Sequence, residues 1–97
     1  MTLRVSDFRT TSRFEGELKS ASADAQAAAK EAIALLLSNP KAGRLRLHQL
    51  KGYKPSIWVI DVYANHSWQI TFEMQGETAI LRRLATHKNI DRDPKGA

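Results

Sequence analysis

Alternation of apolar and polar residues dominates the second half of the chain. From Trp68 to Met74 every second residue is apolar, and the residues between them are polar or charged. Because neighbouring side chains on a strand point to opposite faces, this run predicts a half-buried strand with one polar face. The run from Ile57 to Ala64 is rich in β-branched and aromatic residues and predicts a central strand. After a hairpin turn predicted at 75–77, Thr78 to Thr86 predicts the last strand.

Apolar residues at helical spacing characterise the first half of the chain instead. An alanine-rich stripe from Ala25 to Leu37 predicts a helix, which Pro40 ends because the residue before a proline avoids helical geometry. Ser12 and Glu15 have the spacing of a capping box, so a shorter helix is predicted from Ser12 to Lys19. Apolar residues between positions 3 and 8 predict a short strand before the helices, and alternation between 44 and 48 predicts another strand after them.

The predicted order of elements is β-α-α-β-β-β-β, within a single domain spanning residues 1–97. Consecutive strands joined by short turns form an antiparallel meander, and helices cover such a sheet by packing on one face. We therefore predict an α+β fold, in which two N-terminal helices pack on a small, mainly antiparallel sheet of about four or five strands. The other face of the sheet is predicted to stay open. The polar segment 89–97 is predicted to be a frayed tail.

The composition is that of a soluble globular protein, with 42% hydrophobic and 26% charged residues. The absence of cysteine excludes a disulfide framework and a thiolate metal site. No apolar run approaches the roughly 20 residues that span a membrane, and the first residues lack a signal-peptide pattern, so we expect a cytoplasmic protein. No zinc-binding or nucleotide-binding motif is present, and no cofactor is expected.

Basic residues are concentrated in two segments of the chain. The net charge of +5 fits a nucleic acid, an acidic protein or an anionic membrane as a partner. Five cations and His48 lie between Lys41 and Lys54 without an acidic residue, and a second basic group adjoins His87. Such segments bind phosphates by releasing counterions, and a tyrosine among them can stack on a base. The predicted RNA-contacting residues are Arg44, Arg46, Tyr53, Lys54, Arg83 and Lys88.

RNA can be cleaved without a metal because the neighbouring ribose 2′-hydroxyl is the nucleophile. The protein must then supply a base, an acid and cations that stabilise the charge developing on the phosphate. Histidine suits the first two roles because imidazole titrates near neutrality. The candidate catalytic residues are therefore His48 and His87, together with Lys51 and Arg82 as cations. The alternative is that each histidine is an ordinary strand-end residue that makes one hydrogen bond.

Four short segments also follow one another in a characteristic order. They are Leu50-Lys51-Gly52, Ile57-Trp58, Gln69-Ile70-Thr71-Phe72-Glu73, and the last strand, which ends at Thr86-His87. In this order they resemble the RelE/ParE superfamily of bacterial toxins, and within it the RelE/YafQ-like cytotoxins. The resemblance implies the toxin of a toxin–antitoxin pair, which cleaves messenger RNA on the ribosome and so inhibits translation. It also implies a cognate antitoxin, through which the toxin oligomerises, and no membrane partner.

The resemblance extends to individual residues of the candidate site. His48 looks like the catalytic histidine of the family's HxLxG segment. His87 looks like the histidine of the GTH segment at the end of the family's last strand. Arg82 looks like the arginine that is implied to contact the scissile phosphate. Three positions depart from the family pattern. Gln69 stands where an arginine is usual, Asp91 stands where an aromatic residue is usual, and Ala85 stands where a glycine usually precedes the threonine and histidine. An enzyme attenuated at Gln69 therefore stays open, and an arginine at that position is expected to raise activity.

Two other functions stay open at the level of sequence. A ParE-like inhibitor of DNA gyrase would use the same fold without the RNA-cleavage residues, and an inactive relative would bind RNA or an antitoxin without cleaving. The nuclease interpretation also requires Arg82 and His87 to reach the same face of the sheet. Arg82 and His87 would face opposite ways on a regular strand, so a bulge or strand end is predicted near Ala85-Thr86.

Overall fold

A computed structural model describes residues 3–63 and 65–95 of the chain. Its elements, in chain order, are β1 (Asp7–Thr10), α1 (Ser12–Ser20), α2 (Ala23–Ser38), a 3-10 turn (Gly43–Leu45), β2 (His48–Leu50), β3 (Ile57–Asp61), β4 (Trp68–Gln75), β5 (Thr78–Thr86) and α3 (His87–Arg92). The predicted α+β class is confirmed. No helix within the described ranges is long and apolar enough to cross a membrane.

The five strands form one sheet in the order β1-β5-β4-β3-β2. The strands β2 to β5 make the predicted antiparallel meander, whereas β1 lies parallel to β5 at one edge. The first strand begins at Asp7, later than the apolar run predicts. The strand predicted at 44–48 is also displaced, because the 3-10 turn buries Leu45 completely and β2 begins only at His48.

The helices α1 and α2 cover one face of the sheet, as predicted. Thr11 rather than Ser12 caps α1, because its hydroxyl accepts a hydrogen bond from the amide of Phe14 at 3.2 Å. The same hydroxyl donates to the carbonyl of Leu81 at 3.0 Å, which anchors the start of α1 on β5. Fully buried alanines let α2 approach the sheet closely. The core between the two layers includes Phe14, Leu36, Ile60, Ile70, Phe72, Leu81 and Leu84.

The face opposite α1 and α2 is covered as well, so the prediction of an open face is wrong. The helix α3 and the residues after it lie across this face, where Ile90 is 1% exposed. The hydroxyl of Thr71 in β4 donates to the carbonyl of Pro94 at 2.8 Å. The cover has a physical reason, because Ile57 and Val59 of β3 also point to this face and would otherwise stand in water.

The C-terminal segment differs from the frayed tail predicted for 89–97. After α3, the backbone carbonyls of Asp93, Pro94 and Lys95 each accept a hydrogen bond from a side chain of β4 or β5. The prediction therefore needs correction for 89–95, which is docked on the sheet. Residues 96–97 lie outside the described residues.

One residue of β5, Arg82, has no partner opposite it on β4, although the strands pair regularly on both sides of it. It forms a β-bulge, a feature that bends a strand and re-aims its side chains. The strand end predicted near 85–86 is confirmed, because β5 ends at Thr86, and the bulge at Arg82 is an additional irregularity earlier in the strand. The strand then stays regular to Thr86, whose side chain caps α3, so that His87 is the first residue of a helix.

Candidate functional site

A buried carboxylate organises the end of the sheet where β3 stops and β4 begins. The side chain of Asp61 is 0% exposed. The Nε of Arg46 and the Nδ1 of His66 each lie 2.5 Å from its Oδ2, and the Nε2 of Gln69 lies 3.0 Å from its Oδ1. We call these four residues the Asp61 cluster. It joins the segment before β2, the end of β3, the β3–β4 turn and the start of β4.

The two partly exposed members of the cluster both have left-handed backbone conformations. Arg46 has a φ of 45° and His66 has a φ of 63°, and among the residues described every other positive φ belongs to glycine. This conformation costs a residue with a side chain about 1–3 kcal/mol unless its surroundings compensate. Hydrogen bonds to one buried carboxylate provide that compensation here. Backbone strain that converges on a single polar group is typical of functional sites.

The surroundings of Asp61 favour its ionised form. Burial alone would raise the pKa of the carboxyl group. Hydrogen bonds from Arg46, Gln69 and His66, together with the charge of Arg46, outweigh burial and lower the pKa of Asp61 below its usual value. Across the described ranges, every buried side-chain nitrogen and oxygen atom has a hydrogen-bond partner. The cluster is therefore a satisfied network around a permanent negative charge.

His66 and Arg46 connect this buried charge to solvent. Their side chains are 43% and 46% exposed, respectively. Because the Nδ1 of His66 faces a carboxylate, that nitrogen carries a proton, and the Nε2 of the neutral ring is a hydrogen-bond acceptor. Arg46 uses its Nε for Asp61, which leaves the fork of its guanidinium for an anion. Such a pair can hold a phosphate and accept a proton beside it.

The other two histidines lie next to the Asp61 cluster. The Nδ1 of His48 is 2.6 Å from the carbonyl oxygen of Arg46. The amide of His87 donates to the carbonyl of Ser67 in the β3–β4 turn at 3.0 Å. The Nδ1 of His87 lies 3.3 Å from Oδ2 of Asp91, which thereby becomes its partner within α3. We call this end of the sheet, which carries His48, His66 and His87, the histidine end.

The four residues predicted to be catalytic lie at different places on the sheet. His48 and His87 are at the histidine end, whereas Lys51 lies in the exposed turn at the opposite end of β2. Arg82 is on β5, three strand spacings from His48 and so roughly 14 Å away at about 4.8 Å per strand. Its Nε donates to a carbonyl of the C-terminal segment at 3.2 Å, and its Nη1 lies 3.9 Å from Oε1 of Glu73.

Arg83, which the sequence predicts to contact RNA, is instead buried at 6% exposure. Its guanidinium donates to the two carboxylate oxygens of Glu17 at 3.2 and 2.7 Å. It also donates to the carbonyls of Asn89 and Asp93 at 3.3 and 2.9 Å. The hydrogen bonds with Glu17 raise the pKa of Arg83, although burial acts in the other direction. Arg83 thus fastens α1 and the C-terminal segment to β5.

The other predicted RNA contacts are more accessible. Arg44 in the 3-10 turn, Lys54 in the β2–β3 loop and Lys88 in α3 are exposed. Tyr53 is half-buried, and the Nζ of Lys95 lies 5.6 Å from the centre of its ring. The exposed cations therefore remain available to a phosphate backbone, whereas Tyr53 already has a cation over its face.

Gln69 occupies a different environment from the one that the sequence predicts. The alternation in β4 places it on an open face, but it is 2% exposed and its side-chain amide is bonded to Asp61. A neutral amide suits this position because Arg46 already balances the charge of Asp61. Gln69 is therefore a structural member of the cluster rather than a solvent-facing residue.

Asp61 and His66 are the functional candidates that the sequence pattern misses. An acidic residue inside a run of β-branched and aromatic residues needs partners when it is buried, and this signal was present at Asp61. Nothing in the local pattern marks His66, which lies in a turn. No group of three histidine, aspartate or glutamate side chains in the described part of the chain is arranged to hold a metal ion.

The chain resembles solved toxin structures, although no protein-family model and no curated protein sequence matches it. YafQ from E. coli has a TM-score of 0.71 at 17% sequence identity, over 87% of this chain and 96% of that chain. A copper-bound mutant toxin from Helicobacter pylori has a TM-score of 0.65 at 19% identity, over 92% and 99%. The RelB–RelE antitoxin–toxin complex from Methanococcus jannaschii gives 0.60 at 26% identity, over 86% and 94%. The chain therefore has the RelE/YafQ-like toxin fold that its motif order predicts.

Proposed function

We propose that this chain is the toxin of a bacterial toxin–antitoxin pair and that it inhibits translation by cleaving messenger RNA on the ribosome, in the cytoplasm. One observation carries the proposal, namely that three histidines and a guanidinium gather at one end of the sheet of a toxin fold. Cleavage through the ribose 2′-hydroxyl needs proton-transfer groups and a cation at the phosphate, and the histidine end offers both. The reaction needs no metal, because the ribose supplies the nucleophile.

The four residues predicted to be catalytic have two kinds of role in this proposal. His48 and His87 are candidates for proton transfer, because both lie at the histidine end. Lys51 and Arg82 lie further along the sheet, where they would contact phosphates that flank the scissile one. The exposed cations Arg44, Lys54 and Lys88 would extend this contact, and Tyr53 would stack on a base.

A cognate antitoxin is the second partner in the proposal. Two of the similar structures are the DinJ–YafQ toxin–antitoxin complex and the RelB–RelE antitoxin–toxin complex. The net charge of +5 favours an acidic segment as the antitoxin's contact with this chain. Since RNA is also an anion, antitoxin and RNA would compete for the basic residues near the histidine end.

Expression in bacteria tests the proposal. We expect the chain alone to arrest growth, and the product of the adjacent gene to restore growth when both are expressed. In arrested cells, incorporation of labelled amino acids should fall before plasmid supercoiling changes. Altered supercoiling with intact messages would favour a ParE-like gyrase inhibitor instead. Normal growth at confirmed expression of the folded chain would contradict a toxin of either kind.

A further inference from the structure

We infer that His66 is a catalytic residue of the proposed RNA cleavage, that it removes the proton of the ribose 2′-hydroxyl, and that Arg46 binds the scissile phosphate beside it. The inference rests on the proposed function and deepens it. In this assignment Asp61 is a positioning residue, which touches no substrate but holds both side chains.

The shared carboxylate oxygen fixes the two side chains relative to each other. The Nδ1 of His66 and the Nε of Arg46 lie within about 5 Å of each other, because each is 2.5 Å from Oδ2 of Asp61. A phosphodiester bound by the outer fork of the guanidinium would therefore lie beside the imidazole ring. A bidentate contact of this kind is the usual way in which arginine binds phosphate.

The orientation of the imidazole suits a base. Its Nδ1 proton is held by the buried carboxylate of Asp61, so the Nε2 lone pair belongs to the part of the side chain that reaches solvent. When Nε2 takes a proton, the ring becomes a cation, and the negative charge behind it stabilises that cation. A carboxylate behind a catalytic histidine has this same function in hydrolases.

The reaction assigns one proton each to His66 and His87, so that His66 replaces His48 as the base among the proton-transfer candidates. The 2′-oxygen loses its proton to Nε2 of His66 and bonds to the adjacent phosphorus, while the bond from phosphorus to the 5′-oxygen breaks. The departing 5′-oxygen takes a proton from His87, whose amide is bonded to the residue after His66. The products are a 2′,3′-cyclic phosphate and a 5′-hydroxyl. Exchange with water then returns His66 to its neutral form and His87 to its protonated form.

Substitutions at position 66 test the inference without breaking the turn. Asparagine and glycine both tolerate a left-handed backbone, but neither can take up the proton. We expect His66→Asn to lower the single-turnover cleavage rate of ribosome-bound message by about 100- to 10,000-fold, the usual contribution of a general base. Added imidazole should restore part of the rate to His66→Gly, which a merely structural role would not allow.

The pH profile provides a second readout. The titratable and charged groups around His66 are Asp61, whose carboxylate it contacts, and Arg46 on the same carboxylate. Tyr63, whose carbonyl accepts from the amide of His66, and His87, whose amide donates to the carbonyl of Ser67, are the titratable residues joined to the turn by backbone hydrogen bonds. A base must be neutral to act, so the wild-type rate should fall at acid pH. In His66→Asn that acid limb should flatten, whereas the alkaline limb, which we assign to His87, should remain.

Arg46 has a matched control in the chain. We expect Arg46→Gln to weaken binding of a 2′-O-methyl RNA, which cannot be cleaved, and to slow cleavage of the normal message. Arg9→Gln removes one exposed cation from β1, at the edge of the sheet opposite β2. This control changes the net charge by the same amount as Arg46→Gln does, but it does not touch the Asp61 cluster. Both measurements should therefore stay unchanged.

The outcomes separate this inference from the function on which it rests. If the wild type cleaves RNA and His66→Asn cleaves at the full rate with the wild-type pH profile, His66 is a turn residue and the inference is overturned alone. Equal effects of Arg46→Gln and Arg9→Gln would overturn the role of Arg46. If the folded wild type leaves the ribosome-bound message intact, the proposed function fails and the inference falls with it.

Discussion

Replacing Asp61 by asparagine should destabilise the protein at neutral pH. Asparagine keeps the size of the side chain and an acceptor for Gln69, but it offers no charge to Arg46 and His66. Hydrogen bonds to charged groups contribute about 1.5–3 kcal/mol each, and breaking a fully buried ion pair costs about 3–5 kcal/mol. Arg46 and His66 are nearly half exposed and can turn to water. We therefore expect Asp61→Asn to lower the free energy of unfolding by about 1–3 kcal/mol.

The effect of Asp61→Asn should depend on pH in a definite direction. In the unfolded chain the carboxyl group titrates near its ordinary pKa of about 3.9, whereas in the folded protein the pKa of Asp61 is lower. Its contribution to stability is therefore fully present above the unfolded pKa and is lost as the pH falls through the folded pKa. The difference between wild type and Asp61→Asn should be largest near neutrality and should shrink below about pH 4.

Urea unfolding followed by tryptophan fluorescence measures both effects. Asp91→Asn is the matched control, because it removes a carboxylate that also pairs with a histidine but is 60% exposed. The control should change the free energy of unfolding by less than about 0.5 kcal/mol. An unchanged urea midpoint for Asp61→Asn at pH 7 would refute the reasoning. The reasoning would also be refuted if the difference in the free energy of unfolding between wild type and Asp61→Asn stayed constant into the acid range.

Three further substitutions test other parts of the structure. Gln69→Arg should lower the free energy of unfolding by about 1–3 kcal/mol without raising RNA cleavage, because it buries a second guanidinium beside Arg46; a stable protein with faster cleavage would contradict this. Arg83→Ala should cost about 3 kcal/mol in thermal unfolding, because it removes a buried guanidinium that pairs with Glu17 and bonds two backbone carbonyls, whereas loss of a mere surface contact would cost almost nothing. Ile90→Ala should cost about 2–5 kcal/mol in urea unfolding because the side chain is 1% exposed; an unchanged midpoint would show that α3 is not docked in solution.

Local patterns were sufficient to predict most of the secondary structure. The bounds predicted for β5 agree with the structure because its alternation is flanked by a glycine turn and a polar segment. The helix α3 was missed for the opposite reason. It has six residues, of which only Ile90 is apolar, and so short an element shows no periodicity. Packing of Ile90 and its neighbours against β4 and β5, rather than helix propensity, explains why it forms.

The candidate site was less predictable because its contacts are not local. Arg46 and Asp61 are 15 residues apart, and Arg83 and Glu17 are 66 residues apart. Alternation alone assigns Arg83 to a solvent-exposed face, because it cannot show that a carboxylate of α1 lies beside this residue. The histidines at 48 and 87 were found because they adjoin basic segments. His66 required the three-dimensional position of Asp61.

Cleavage through the ribose is the central claim, and a single 2′-deoxy substitution tests it most directly. The purified chain is mixed with ribosomes programmed with a message, and the cleaved position is mapped. The same message is then made with one 2′-deoxynucleotide immediately 5′ to the scissile phosphate. We predict that the all-ribose message is cut to leave a 2′,3′-cyclic phosphate and that the substituted message stays intact at that position. Equal cleavage of both messages, or an intact all-ribose message with folded protein, would contradict the account.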